Sequence, residues 1–211
     1  MNRLDEIIQA EFPTMMVPKH EEISPLRVGK TRLLMARDGL YIEAVQHWGR
    51  LVRRLWSAPR PLPYAEVEEI DTFKDALQAV FRSEIMDTIV EEAARCAERG
   101  REWIGWVLYD HESGKFFYRP LDFDSTRTSV DYRKGKLGGA SVAVDIHSHG
   151  RIEAGFSPID DHDDAGGVRI SVVLGSFREE KGEWKFDYAV RYCVQGFFLP
   201  MGTRDTQEVA P

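Results

Sequence analysis

The stretch from Ser141 to Asp160 constrains this chain more than any other: SVAVDI, then His147-Ser148-His149, then seven residues, then Ser157-Pro158-Ile159-Asp160. The β-rich run that follows Lys136-Leu137-Gly138-Gly139 predicts a strand. Side chains alternate along a strand with period two, so His147 and His149 leave its C-terminal end on one side and can chelate one ion. Beyond Phe156, Ser157 has the chemistry of a helix N-cap and Pro158 suits the first helical position. Asp160 then falls in the first turn, with its carboxylate aimed back at the strand end. Two neutral imidazoles and one carboxylate are the protein ligands of a catalytic zinc, with a fourth position left for water. Other divalent ions suit the same donors.

The pattern H-x-H-x7-S-x-x-D resembles the signature of the JAMM family, the MPN+ zinc metallopeptidases that act on ubiquitin-like proteins and related substrates. The resemblance covers residues 80 to 200. It implies that His147, His149 and Asp160 bind Zn²⁺, that Ser157 helps stabilise an oxyanion, and that a glutamate far upstream is the general base. In that family the glutamate follows the first helix and opens the first strand, ahead of a glycine. Glu102, in Gly100-Arg101-Glu102-Trp103-Ile104-Gly105, occupies that place, whereas Glu69, Glu91 and Glu92 do not. Gly150 and Phe156 stand where many relatives carry proline, which bears on loop stiffness more than on chemistry. The whole chain is also similar to prokaryotic JAB-type proteins of the PRTRC plasmid system. That kinship implies a ubiquitin-like protein, or its conjugate, as partner and an E1-like protein from the same gene cluster.

Several residues have a second reading. Asp161 and Asp163 compete with Asp160 as ligand, and the family spacing favours Asp160. His162 is a further imidazole, either near the site or solvated. Asp145 lies on the face of His147 and either orients a histidine or meets solvent. Asp145-Ile146-His147-Ser148-His149 also looks like the D-x-H-x-H opening of a metal-dependent barrel hydrolase. Too little chain follows His149 to complete a barrel of about 250 residues. The alternative to an enzyme is a catalytically inactive MPN-type scaffold that binds a protein partner, and such relatives usually lack a ligand that this chain keeps. A third reading retains the zinc only to fix the loop from Gly150 to Phe156.

The remaining sequence sets the frame. The 211 residues suffice for one full α/β domain and a smaller module. The expected division is 1-70, a β-rich N-terminal module or extension, and 71-211, a JAB/MPN-like domain. In the first part, Thr31 to Ala36 and Leu40 to Val45 flank Arg37-Asp38-Gly39, a hairpin signal. Met15 to Val17 is a short strand-like run, Trp48 to Trp56 a strand or amphipathic segment, and Ala58 to Pro63 a proline-rich break suited to a linker. From Asp71 to Arg99 apolar residues recur at three and four, with Ser83 able to cap a second helix. Strands follow at 103–109, 115–119, 126–132, 141–147, 169–174 and 184–194. The expected fold class is α/β, a mixed β-sheet flanked by helices, for which the resemblance implies a cytidine-deaminase-like layering.

A net charge of −7 argues against a nucleic-acid partner. No apolar run approaches the roughly 18 residues of a membrane span, and the N-terminus lacks a signal-peptide layout, so a cytoplasmic location is expected. Cys96 and Cys193, far apart and without C-x-x-C spacing, read as reduced thiols in or near the core. Phe116-Phe117-Tyr118 and Phe197-Phe198 read as core or as a groove for an extended peptide. The resemblance implies that substrate selectivity comes from inserted loops and partner domains, for which Thr126 to Ala140 and residues 1 to 70 are the candidates.

Overall fold

The computed structural model describes residues 2–126, 130–132 and 137–201. These form two compact units, Met1–Asp75 and Ala76–Pro211, where the sequence suggested a division at 70/71. The fold is mixed α/β, with two mixed sheets and flanking helices. No described helix is long and apolar enough to cross a membrane.

The first unit opens with a helix that sequence reading did not anticipate, α1 (Arg3–Glu11), capped by the Asn2 side chain accepting from the Leu4 N–H at 3.0 Å. Its apolar residues Leu4, Ile7 and Ile8 stay exposed, and nine residues give the periodicity little length in which to show. Then come β1 (Thr14–Met16), β2 (Lys30–Ala36), β3 (Gly39–Gln46), β4 (Gly49–Ser57) and β5 (Ile70–Asp71), a sheet in that order. The hairpin closes where the turn residues predict, with Ala36 paired to Gly39. The WGRLVRRLW segment is a strand, β4, with Leu51 and Val52 buried.

Val17, Leu34, Ala36, Tyr41 and Val52 form a core that Ile23, Tyr64, Ala65 and Val67 cover. The proline-rich break is therefore bound to this unit: Leu62 N–H donates to the Arg37 carbonyl, and Arg37 N–H to that of Ala65, both at 2.8 Å. Proline there removes a donor and prevents helix without freeing the segment from its neighbours. The buried Glu43 accepts from Arg32 Nε at 2.6 Å and from Arg50 Nε at 2.9 Å.

α2 (Phe73–Phe81) and α3 (Glu84–Glu98) follow, with Ser83 at the N-cap position of α3, although its side chain makes no capping bond. The Ser83 hydroxyl itself donates to the Val80 carbonyl at 2.7 Å. Met86, Ile89, Ala93, Ala94 and Ala97 make the buried stripe of α3; Ile85 and Cys96, which the sequence pattern also placed on it, are only partly buried. Next come β6 (Trp103–Asp110), β7 (Lys115–Pro120), β8 (Phe123–Ser125), β9 (Val130–Tyr132), β10 (Ala140–Ser148), α4 (Pro158–Asp164), β11 (Val168–Glu180), β12 (Glu183–Val194) and β13 (Phe197–Pro200).

Six of these strands form one sheet in the order β13-β12-β11-β10-β6-β7, antiparallel except for the β10–β11 pair. β11 runs longer than its apolar core suggested, and β13, with Phe197 and Phe198, was not anticipated as a strand. Of the strand expected at 126–132, residues 127–129 lie outside the described residues, as do 133–136 of the expected selectivity segment.

Strand β6 turns Trp103 toward α3, where its indole N–H donates to Glu92 Oε2 at 3.3 Å. The Tyr118 hydroxyl donates to the same oxygen. The Trp103 ring lies across Gly105, where a Cβ would stand 2.7 Å from a ring carbon. A Tyr118→Phe substitution removes one of two donors to Glu92 and is expected to cost about 1 kcal/mol. Urea unfolding followed by tryptophan fluorescence measures it, and no change in midpoint would show that the bond contributes nothing.

Candidate metal centre

The ladder between β6 and β10 brings the expected residues together. Ile104 pairs with His147 and Trp103 with Ser148, so Glu102 comes in beside the end of β10. Period-two alternation puts the side chains of Glu102, Ile104 and His147 on one face, while Trp103 points to the other, toward α3. His149 follows β10 directly and stays tied to the sheet, its N–H donating to the Leu174 carbonyl of β11 at 2.8 Å.

The third donor comes from α4. Ser157 has extended backbone angles and its hydroxyl accepts from the Asp160 N–H at 3.3 Å. The Asp160 carboxylate accepts in return from the Ser157 N–H at 2.6 Å, which completes a reciprocal cap. Pro158 fills the start of the helix at no hydrogen-bond cost, because the N–H it lacks has no intrahelical partner there. The cap fixes the Asp160 carboxylate, which lies 3.1 Å from His147 Nε2 and 3.9 Å from His149 Nε2.

The donor atoms of His147, His149 and Asp160 all lie within 4.8 Å of one another. His147 Nε2 is buried, and although Asp160 Oδ1 stands 3.1 Å away, it is not aligned as a hydrogen bond. Two donors that approach without bonding to each other fit convergence on a shared third point, and two imidazoles with a carboxylate are chemically suited to zinc. The residues present therefore fit a divalent ion.

Electrostatics follow the same convergence. Burial works against protonation of His147, yet the carboxylates of Asp160, Asp145 and Asp164 outweigh it and raise its pKa. Burial and the neighbouring His147 lower that of His149. Burial alone would raise the Asp160 carboxyl, but His147 and the Ser157 N–H and hydroxyl hold it well below the usual carboxylate range. Glu102 is buried beside these groups, and desolvation raises its pKa, with His147 opposing and Asp160 reinforcing the shift.

The other candidates are placed as follows. Asp145 is buried, not solvated, with its carboxylate 3.5 Å from Arg169 Nε. Burial pushes it up to about 6, with Arg169 opposing. Asp161 faces Arg191, and the His162 side chain is exposed. Glu92 serves Trp103 and Tyr118, Glu91 pairs with Arg95 on the helix surface, and Glu69 accepts from the Arg54 N–H. Cys96 and Cys193 are free thiols, the first partly buried and the second buried.

Sequence reading missed Arg169, Asp164 and Arg191. Their only trace was the run Asp160-Asp161-His162-Asp163-Asp164, too acidic to pack without cations from elsewhere.

Two family models match the chain. Residues 2–73 match a domain of unknown function (DUF2016). Residues 82–187 match the prokaryotic homologs of the JAB domain. No curated protein matches. The second match covers half of the sequence and contains Glu102, His147, His149, Ser157 and Asp160, so the chain belongs to the family of prokaryotic homologs of the JAB domain.

Proposed function

We propose that this protein is a zinc-dependent peptidase or isopeptidase of JAMM type. The observation that supports it most is the convergence of the His147, His149 and Asp160 donor atoms within 4.8 Å on the sheet face that also carries the buried Glu102. His147, His149 and Asp160 would hold the ion. Zinc supplies a Lewis acid and brings the pKa of a water molecule near neutrality.

The chain's own groups do the remaining work. Glu102, its basicity raised by burial, accepts a proton from the attacking water and delivers it to the nitrogen of the departing amine. The Ser157 oxygen accepts from the Asp160 N–H, and its hydroxyl would donate to the oxyanion. The products are a carboxylate and a free amine, from a peptide or isopeptide bond. Kinship points to the C-terminus of a ubiquitin-like protein as the acyl side, within a bacterial gene cluster of PRTRC type.

Elemental mass spectrometry of the purified chain tests the reading. About one zinc per chain, lost in His149→Ala, is expected, as is cleavage of a fusion to a ubiquitin-like protein that a chelator stops. A parent chain that takes up no metal when zinc is supplied overturns it, and metal without cleavage of any such fusion favours the inactive scaffold.

Ser157 separates structure from chemistry. Glycine is nearly as good an N-cap as serine, so Ser157→Gly is expected to cost only a few tenths of a kcal/mol in stability. Loss of an oxyanion donor lowers kcat by about 10²-fold or more. Paired unfolding curves and turnover rates check this, and unchanged turnover would leave Ser157 as a cap alone.

A further inference from the structure

α4 has seven residues and almost no apolar anchorage. Pro158, Ile159, Asp161, His162 and Asp163 are exposed, and the buried side chain of the helix is a carboxylate, Asp164. So short a segment is not a stable helix by itself in water. Packing of an apolar face cannot hold it either, because it presents none. Yet this helix has to place Asp160 against two histidines that belong to the sheet.

Two arginines from neighbouring strands reach it. Arg191 of β12, itself buried, donates through Nε and Nη2 to Asp164 Oδ2 at 3.1 and 2.8 Å, and through Nη1 to Asp161. Its guanidinium is sandwiched between the rings of Phe156, which leads into the cap, and Phe198, with centroids 3.9 and 4.2 Å from Cζ. Arg169 of β11 donates to Asp164 Oδ1 at 2.9 Å and to the carbonyls of Asp163 and Gly166, both at 2.7 Å. It also faces Asp145, two residues before His147 on β10.

We infer that Arg191 and Arg169 are positioning residues, a buried charged clamp that sets α4, and with it Asp160, at the distance from His147 and His149 at which all three can share one ion. This rests on the metal-centre reading above. The planar fork suits the task, since one guanidinium can bridge two carboxylates and stack between two rings at once, which a lysine ammonium cannot do. The clamp also accounts for two carboxylates after Asp160: Asp161 and Asp164 anchor the helix, Asp163 is exposed, and Asp160 is left to the ion. It links the element that carries the carboxylate to the strand that carries the first histidine, through Arg169 and Asp145.

The test is Arg191→Lys in the full chain, which keeps the charge and loses the bridge. Zinc affinity is measured by competition with a chromophoric chelator, and ligand geometry by the visible absorption of the cobalt(II) form. Removing a group that orients a metal ligand typically lowers affinity about 10- to 100-fold, and that loss is expected here, with an altered cobalt band. Amide hydrogen exchange of the metal-free chain should quicken at the end of α4 while β10 and β11 keep their protection. Asp161→Asn, at the more exposed arm, leaves the Asp164 pair intact and is expected to weaken affinity by a smaller factor, which guards against a lysine variant that fails to fold.

Zinc affinity, cobalt band and α4 exchange all matching the parent would overturn the clamp. A parent chain that binds no metal would overturn the metal-centre reading instead. The exchange experiment then still decides whether Arg191 holds the helix, and unchanged α4 exchange in the lysine variant overturns it.

Discussion

Glu102→Gln is expected to lower turnover by about 10²- to 10⁴-fold, the usual contribution of a positioned general base, while the purified variant retains its metal. The substitution is nearly isosteric, and Glu102 is not among the three convergent donors, so the ligand set survives it. Stability should not suffer either. Burial raises the folded-state pKa of Glu102, so folding favours its protonated form, and the ionised carboxylate costs stability once pH exceeds that pKa. An uncharged amide removes this cost, and at neutral pH the variant should be as stable as the parent or slightly more so. Single-turnover cleavage, elemental analysis and urea unfolding on one preparation decide the matter. Undiminished cleavage would remove Glu102 from the mechanism; loss of metal together with activity would give it a structural role in the site.

What the sequence disclosed and what it hid divide along range in the chain. The donors were legible because the elements that present them are local: a strand ending in His147 and His149, and a cap in which Ser157 and Asp160 are three residues apart and bond to each other. The place of Glu102 needed kinship as well, since a carboxylate at the start of a strand says nothing by itself about a partner some forty-five residues on. The hairpin of β2 and β3 was legible from its turn residues.

The clamp behind α4 was not legible. Arg191 and Asp164 are 27 residues apart and meet only through strand pairing that brings β12 beside β11. Nor was the proline-rich stretch, whose composition suggests a free linker but whose Ala58 and Leu62 N–H groups donate to the Asp38 and Arg37 carbonyls at the β2–β3 turn. The short helix α1 and edge strand β13 escaped because nine and four residues give periodicity too little room.

Gly175→Ala is expected to cost about 3 kcal/mol in stability, the upper end for overpacking a core. A Cβ at Gly175 would stand 2.4 Å from the Ala154 nitrogen, 2.5 Å from the Ile152 oxygen and 2.8 Å from the Ala154 Cα. All three atoms are backbone, so no rotamer change relieves the contact, and either β11 or the loop has to move.

The loop is the segment that joins His149 to Ser157. It lies along β11 as an irregular continuation of the sheet: the Ser176 N–H donates to the Ile152 carbonyl at 2.7 Å and the Phe177 N–H to that of Gly150 at 3.1 Å. Forcing it away from β11 therefore changes the spacing between the histidine pair and the capped helix that carries Asp160. Gly175→Ala should accordingly lower zinc affinity as well as the unfolding midpoint. The two effects can be separated by measuring affinity well below the denaturation range, where the variant is fully folded. A variant with parental stability would mean that the close approach of Gly175 to the loop is not needed for folding. A destabilised variant with parental affinity would mean that the cap and the arginine clamp hold Asp160 in place without the loop.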